Sequence, residues 1–177
     1  MQIAQALLDE LIEHARVDAP NECCGMIATR DGVAVSVYRA LNTAASPLRY
    51  EIDGAEQYRI QMNIEDCGLD LGAIYHSHTR SAPYPSQTDI NLAFYPDALY
   101  VIVGLADGAP EVRAYTIRDG HVGDADEFRR RLTADAAYLD ALAFGQPLGD
   151  PRLTAGSPEW LAGTHQEQLR YVRMPGS

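Results

Sequence analysis

The apolar positions of the chain follow two rhythms. Ile3, Leu7, Leu8, Leu11, Ile12 and Ala15 recur every three or four residues, which lays one apolar stripe along a helix over residues 3–17. Asp18 and Pro20 end it. The β-rich runs CCGMIAT and VAVSVYRA follow, separated by Asp31-Gly32, a pair suited to the tight turn of a hairpin. Residues 41–49 read as a polar loop and RYEID as a short strand. Tyr58, Ile60, Met62 and Ile64 return to a helical pattern over about residues 54–66, closed near Gly68. LGAIYHSH reads as the next strand, and Ser86 as the start of a helix reaching about Tyr95, where Pro96 stops it. ALYVIVGL is almost continuously apolar, the mark of a strand buried on both faces. EVRAYTI, followed by Asp119-Gly120, completes a sheet.

Helices interleaved with buried strands imply an α/β layered domain over residues 1–122. Residues 123–177 differ. Phe128, Leu132, Ala136, Leu139 and Ala143 share one helical face over residues 124–143, with Gly145 as C-cap. GQPLGDPRLTAGSP is a Pro/Gly-rich linker, and Ser157-Pro158-Glu159 has the form of another helix start. About 55 residues are few for an independent core. This helical C-terminal extension is therefore expected to cover the first domain or to pair two copies as a homodimer.

Composition narrows the function. Hydrophobic residues make up 46% and charged residues 22% of 177, a globular balance. With 14 basic against 25 acidic side chains the net charge is −11, which disfavours nucleic acid and anionic membranes as partners. No apolar run approaches the ~18 residues that span a bilayer, and MQIAQALLDELIEHAR lacks the basic start of a secretory leader, so the expected location is cytoplasmic. Cys23, Cys24 and Cys67 cannot all pair within one chain and show no C-x-x-C spacing, so they are read as reduced thiols.

The chemistry concentrates in IYHSHTRSAPYPSQTDI, residues 74–90. Side chains alternate along a strand, so His76 and His78 share a face, roughly 7 Å apart at their Cα atoms. Two imidazoles so placed can converge on one zinc ion, with Asp89 as third ligand from the next helix and a fourth position left open, as catalytic zinc requires. A structural reading competes with this one. Polar residues on a strand face are common, and Ser86-Gln87-Thr88-Asp89 is a serviceable capping box. Glu22, 54 positions before His76, would serve as the base for water and the acid for a leaving amine, provided the fold brings it there.

His76-Ser77-His78, seven residues, Ser86, two residues and Asp89 resemble the H-S/T-H-x7-S-x2-D signature of the JAMM (MPN-plus) metallopeptidases, with Glu22 as the upstream glutamate. The resemblance covers roughly residues 1–122. It implies a cytidine-deaminase-like α/β fold with a mixed central sheet flanked by helices. It further implies zinc on His76, His78 and Asp89, Glu22 as general acid/base, and Ser86 as a donor to the oxyanion. NECCGMIA, YHSHTRSAPYPSQTD and PDALYVIV are most similar to the short bacterial members, although Thr29 stands where relatives often have glycine. Such members imply a ubiquitin-like sulfur-carrier protein as partner, with cysteine released from its C-terminal Gly-Gly. The tail is expected to enter a narrow groove beside Tyr84 and to pair with a strand edge.

Four other readings are open on the sequence. An isopeptidase would cut a ubiquitin-like conjugate instead of a cysteine adduct. A non-catalytic MPN scaffold would purify without stoichiometric zinc. A cysteine nucleophile at Cys24 or Cys67 would survive chelation, although Cys24 sits in an apolar strand. A nucleobase deaminase would need an H-x-E and P-C-x-x-C pair that the chain lacks. His14, His121 and His165 are read as surface or packing residues.

Overall fold

The computed structural model describes residues 1–106 and 108–125. The helix expected over residues 124–143, the linker, the helix start at Ser157 and His165 lie outside the described residues, Asp124 and Ala125 apart. In order come α1 (Gln5–Asp18), β1 (Cys24–Arg30), β2 (Val33–Ala40), α2 (Gly54–Asp66), β3 (Asp70–His78), α3 (Gln87–Asn91), β4 (Leu99–Gly104), β5 (Glu111–Arg118) and β6 (His121–Asp124).

The strands form one mixed sheet in the order β2-β1-β3-β4-β5-β6. Only β3 and β4 run parallel, joined by the crossover that contains α3; every other neighbouring pair is antiparallel. Alternation along the strands divides the core into two faces. Leu8, Leu11 and Ala15 of α1 pack with Ile27, Val37, Tyr75, Val101 and Val103 on one face. Ile60 and Ile64 of α2 pack with Cys24, Met26, Tyr38 and Ala40 on the other. Beside them lie Ile74, Tyr100, Ile102, Tyr115 and Ile117. β4 therefore buries successive side chains on both faces, which explains its unbroken apolar run. Among the described residues no helix is long and apolar enough to cross a membrane.

Local chemistry accounts for most of the boundaries. Asp31 and Gly32 both have positive φ, 52° and 75°, as a two-residue hairpin turn of this hand requires. Asp53 caps α2 by accepting from the N–H groups of Ala55 and Glu56. Thr29 interlocks with Gly72, where a Cβ would come within 2.1 Å of the Thr29 methyl.

Three expectations need correcting. RYEID is not a strand; Ile52 makes only an isolated bridge to Asn42. The Asn42 side chain takes the backbone groups a strand partner would use, bonding the Arg49 carbonyl and the Glu51 N–H. α3 ends at Asn91 instead of near Tyr95. Leu92 and Phe94 are exposed, and the Tyr95 N–H donates to the Tyr100 hydroxyl at 3.0 Å instead of extending a helical ladder. The chain is still in a strand at Asp124, because Asp119 and Gly120, both at positive φ, turn it back as β6.

Gly25 marks the tightest approach on the α1 face. A Cβ there would lie 2.2 Å from the Tyr38 carbonyl oxygen and 2.5 Å from the Tyr75 ring. The ring is held in turn by its hydroxyl, 2.7 Å from His14 Nδ1, while His14 Nε2 faces Asp18 at 3.4 Å. His14 is thus a packing residue. Because the clash involves backbone and a pinned ring, Gly25→Ala is expected to destabilise the protein by about 2–3 kcal/mol. A chemical-denaturation midpoint unchanged from wild type would contradict that packing.

Candidate metal centre

β1 and β3 pair antiparallel with Cys24 opposite His76. Continuing that register two residue pairs outward, past Cys23 and Ser77, sets Glu22 opposite His78. The Ser77 N–H donates to the Cys23 carbonyl, and the Cys23 N–H donates to Ser77 Oγ, so the two chains stay locked at this level. Residues paired across antiparallel strands share a face. Glu22, His76 and His78 therefore all project to the α2 side, while Cys23, Tyr75 and Ser77 alternate to the α1 side.

Asp89 arrives from α3. Ser86 caps that helix by accepting from the Asp89 N–H at 3.2 Å, and Asp89 Oδ2 accepts from the Ser86 N–H at 2.7 Å. The capping box is present, and the same carboxylate also faces both histidines. Oδ1 lies 3.4 Å from His76 Nε2 and Oδ2 lies 3.5 Å from His78 Nε2. The two Nε2 atoms are 3.0 Å apart. The two readings of SQTD are thus compatible.

His76, His78 and Asp89 form the one group of three or more His, Cys, Asp or Glu among the described residues able to hold a metal ion. All three are buried. Donors on a tetrahedral zinc ion lie about 3.3 Å from one another, given bonds of about 2.0–2.1 Å. The histidine–histidine distance and each histidine's distance to its nearer Asp89 oxygen are of that size. One donor atom from each residue lies within 4.8 Å of the others, and two imidazoles with one carboxylate are a donor set suited to zinc. His78 Nδ1 lies 2.9 Å from the Ala82 carbonyl oxygen, which fixes that nitrogen as the protonated one and leaves Nε2 for a metal. His76 Nδ1 is buried and has no hydrogen-bond partner among the described residues.

Electrostatics differ between the groups. Burial opposes ionisation of Asp89, but the hydrogen bonds from His76 and His78 outweigh it and hold the carboxyl far below the usual range. Burial pushes the proton affinity of His76 down. It acts on His78 in the same sense, but Asp89 and the Ala82 carbonyl reverse the result and raise it. Burial pushes Glu22 up to about 7, with His78 opposing and the Asp89 charge adding to the rise. Cys23 is driven to about 12 by burial and Cys24 is raised as well, so neither supplies a thiolate near neutral pH.

The Glu22 shift has a consequence for the metal-free protein. A carboxyl with a folded pKa above its ordinary 4.5 binds a proton more tightly when folded, so stability falls as pH rises from about 4.5 to about 7. The full penalty above that window is at most about 3 kcal/mol. Asp89 acts oppositely, its stabilisation being lost as pH falls below its ordinary 3.8. Chelated Glu22→Gln is therefore expected to be more stable than chelated wild type at pH 8, with the gap closing towards pH 4.5. Equal gaps at both pH values, in denaturant titrations, would show that Glu22 does not carry this penalty.

The surroundings contain residues that the sequence pattern leaves unmarked. Tyr50 stacks on the His76 ring, with centroids 4.6 Å apart and planes at 24°. The Glu22 backbone is gripped on both sides: its N–H donates to the Ser46 carbonyl, and its carbonyl accepts from Asn42 Nδ2 at 2.9 Å. Reading RYEID as a strand hid Tyr50, and nothing local distinguishes Asn42 from an ordinary loop asparagine. His121 is exposed. Cys67 is half-buried, and among the described residues no metal-binding group includes it.

Comparison with known proteins agrees with this geometry. Residues 4–118 match a profile described as prokaryotic homologs of the JAB domain. A CysO-cysteine peptidase of Mycobacterium tuberculosis is 40% identical over 119 residues, 66% of this chain and 82% of that protein. A desampylase of Haloferax volcanii is 33% identical over 141 residues, 76% of this chain and 95% of its own. Among solved structures, a protein from Desulfitobacterium hafniense superimposes with a TM-score of 0.62 at 30% identity, covering 70% of this chain and 89% of that one.

Proposed function

The chain belongs to the family of prokaryotic JAB-domain homologues, and from that premise we propose that it is a zinc-dependent peptidase acting on the C-terminal tail of a ubiquitin-like sulfur-carrier protein. The reaction proposed is release of cysteine from a Gly-Gly-Cys adduct. The observation that carries this reading is Glu22, buried on the same sheet face as His76, His78 and Asp89 and electrostatically coupled to two of them.

In this reading His76 and His78, through Nε2, and Asp89, through its carboxylate, hold the zinc. When bound, zinc supplies a Lewis acid for the scissile carbonyl and makes water acidic enough to attack at neutral pH. The Glu22 carboxylate takes the proton of the attacking water and returns it to the leaving amine. A group that exchanges its proton near pH 7 suits both halves of that cycle. Ser86 donates its hydroxyl hydrogen to the developing oxyanion. Its capping bond uses an oxygen lone pair, so the two duties do not compete. Ser86 is exposed, so a substrate can reach it from solvent.

β3 is paired on both sides, by β1 and β4, and among the described residues the outer strands of the sheet are β2 and β6. A tail that reaches the histidines therefore passes over the end of β3 and meets the loop between β3 and α3. Tyr84, on that loop, is 56% exposed and packs edge-on against Tyr115 with centroids 5.5 Å apart, which fits a wall of the tail groove. Glycines at the tail would let an extended backbone come close to that wall.

The name of the mycobacterial relative supports cysteine as the leaving group, and that of the Haloferax relative supports the isopeptidase alternative. The deciding experiment incubates zinc-loaded protein with carriers bearing Gly-Gly-Cys and with lysine-linked carrier conjugates. Product masses are then read, with Glu22→Gln as control. Loss of cysteine alone is expected from the first substrate. Zinc-loaded protein that leaves both substrates intact would turn the reading towards a non-catalytic scaffold.

A further inference from the structure

His76 lacks the usual means by which a ligating imidazole is oriented. The second ring nitrogen of a metal-binding histidine ordinarily donates to a carboxylate, a carbonyl or water, fixing the ring plane and the tautomer. His78 has such a partner in the Ala82 carbonyl. Nδ1 of His76 has none among the described residues, although the residue is fully buried. His78 and Asp89 meet the ring at Nε2, and its flat contact is with Tyr50, which lies against it at 4.6 Å and 24°.

Tyr50 is itself held at its backbone. It sits in the irregular segment between β2 and α2, where Asn42 acts as a buried hub. Asn42 Nδ2 donates to the carbonyls of Glu22 and Arg49, and its Oδ1 accepts from the N–H groups of Ala44 and Glu51. Two of these bonds flank Tyr50 on either side, and a third holds the residue proposed as acid and base. The segment is anchored again where the Leu41 N–H donates to the Glu56 carboxylate. The Tyr50 ring also packs against side chains of both clusters on the α2 face.

We propose that Tyr50 is a positioning residue for the metal centre: its ring, seated by the Asn42-centred loop, sets the plane of His76 in place of the missing Nδ1 hydrogen bond. This rests on the zinc reading above. It assigns the orienting contact to the aromatic face and not to the phenol hydroxyl. Tyr50→Phe, which keeps the face, and Tyr50→Leu, which keeps apolar volume without a ring, separate the two.

The test measures zinc affinity by competition with a chelator on folded, metal-free protein, alongside metal-free melting temperature and kcat/KM. Tyr50→Phe is expected to bind zinc within about twofold of wild type. Tyr50→Leu is expected to bind about tenfold to a hundredfold more weakly, the usual effect of removing an orienting partner. Its zinc-saturated kcat should fall as well. A purely structural Tyr50 would lower the metal-free melting temperature in the leucine variant and leave zinc affinity unchanged, which would overturn the proposal. Equal losses in the phenylalanine and leucine variants would overturn it too, by moving the effect to the hydroxyl. If Tyr50→Leu does not fold, Tyr50→Met, flexible and ringless, takes its place under the same criteria. Wild-type protein that binds no zinc would defeat the functional reading along with this one. Wild type that binds zinc as tightly as Tyr50→Leu would defeat this inference alone.

Discussion

Glu22→Gln is expected to lower kcat/KM by about 10²- to 10⁴-fold while zinc stays bound. Glutamine matches glutamate in shape, and the backbone at this position is held independently of the side chain, by Ser46 on one side and Asn42 on the other. The substitution should therefore leave the fold and the three ligands in place and remove only the group that accepts and returns the proton. Because Glu22 is not among the metal-binding trio, zinc content should remain near one per chain. The measurement is steady-state kinetics on protein of verified metal content. Activity within threefold of wild type would remove Glu22 from the mechanism. Loss of zinc in parallel with activity would recast it as a ligand.

Removing Asp89 should have the widest consequences, because one carboxylate caps α3 and faces both histidines. Asp89→Asn keeps a carbonyl oxygen able to accept from the Ser86 N–H, so the cap survives, but it takes away the anionic ligand. Asp89→Ala removes both. Each variant is expected to purify without stoichiometric zinc and to lose turnover at least as completely as Glu22→Gln. The alanine variant should be less stable than the asparagine one by about 1 kcal/mol, the ordinary worth of such a cap. Metal analysis and denaturant titration check the two parts separately. Full zinc content and activity in Asp89→Asn would mean that the carboxylate serves only the helix.

Much of this was legible in the order of residues. Alternation along LGAIYHSH put His76 and His78 on one face, and their two-residue spacing is a local property that needs no tertiary information. The Asp31-Gly32 turn, the doubly buried β4 and the end of α2 at Gly68 follow from the same kind of short-range rule. Errors arose where side chains stand in for backbone partners. Asn42 satisfies the groups around Arg49 and Glu51 that would otherwise have made RYEID a strand. α3 stops short of Tyr95, whose N–H goes to the Tyr100 hydroxyl, a contact with a neighbouring strand that helical spacing cannot express.

By itself, then, the sequence determined which chemistries were within reach: two imidazoles in step, a carboxylate in the first turn of the next helix, thiols in apolar segments, and a net charge of −11. Periodicity and residue type act over a few positions, and a few positions suffice for that. Only the tertiary structure decided that Glu22 stands across from His78, that Asp89 turns inward while still capping its helix, and that Tyr50 lies flat on His76. These depend on the register of β1 against β3 and on the course of a loop fixed by one buried amide. Both are set by contacts between residues distant in the chain, which no local pattern encodes.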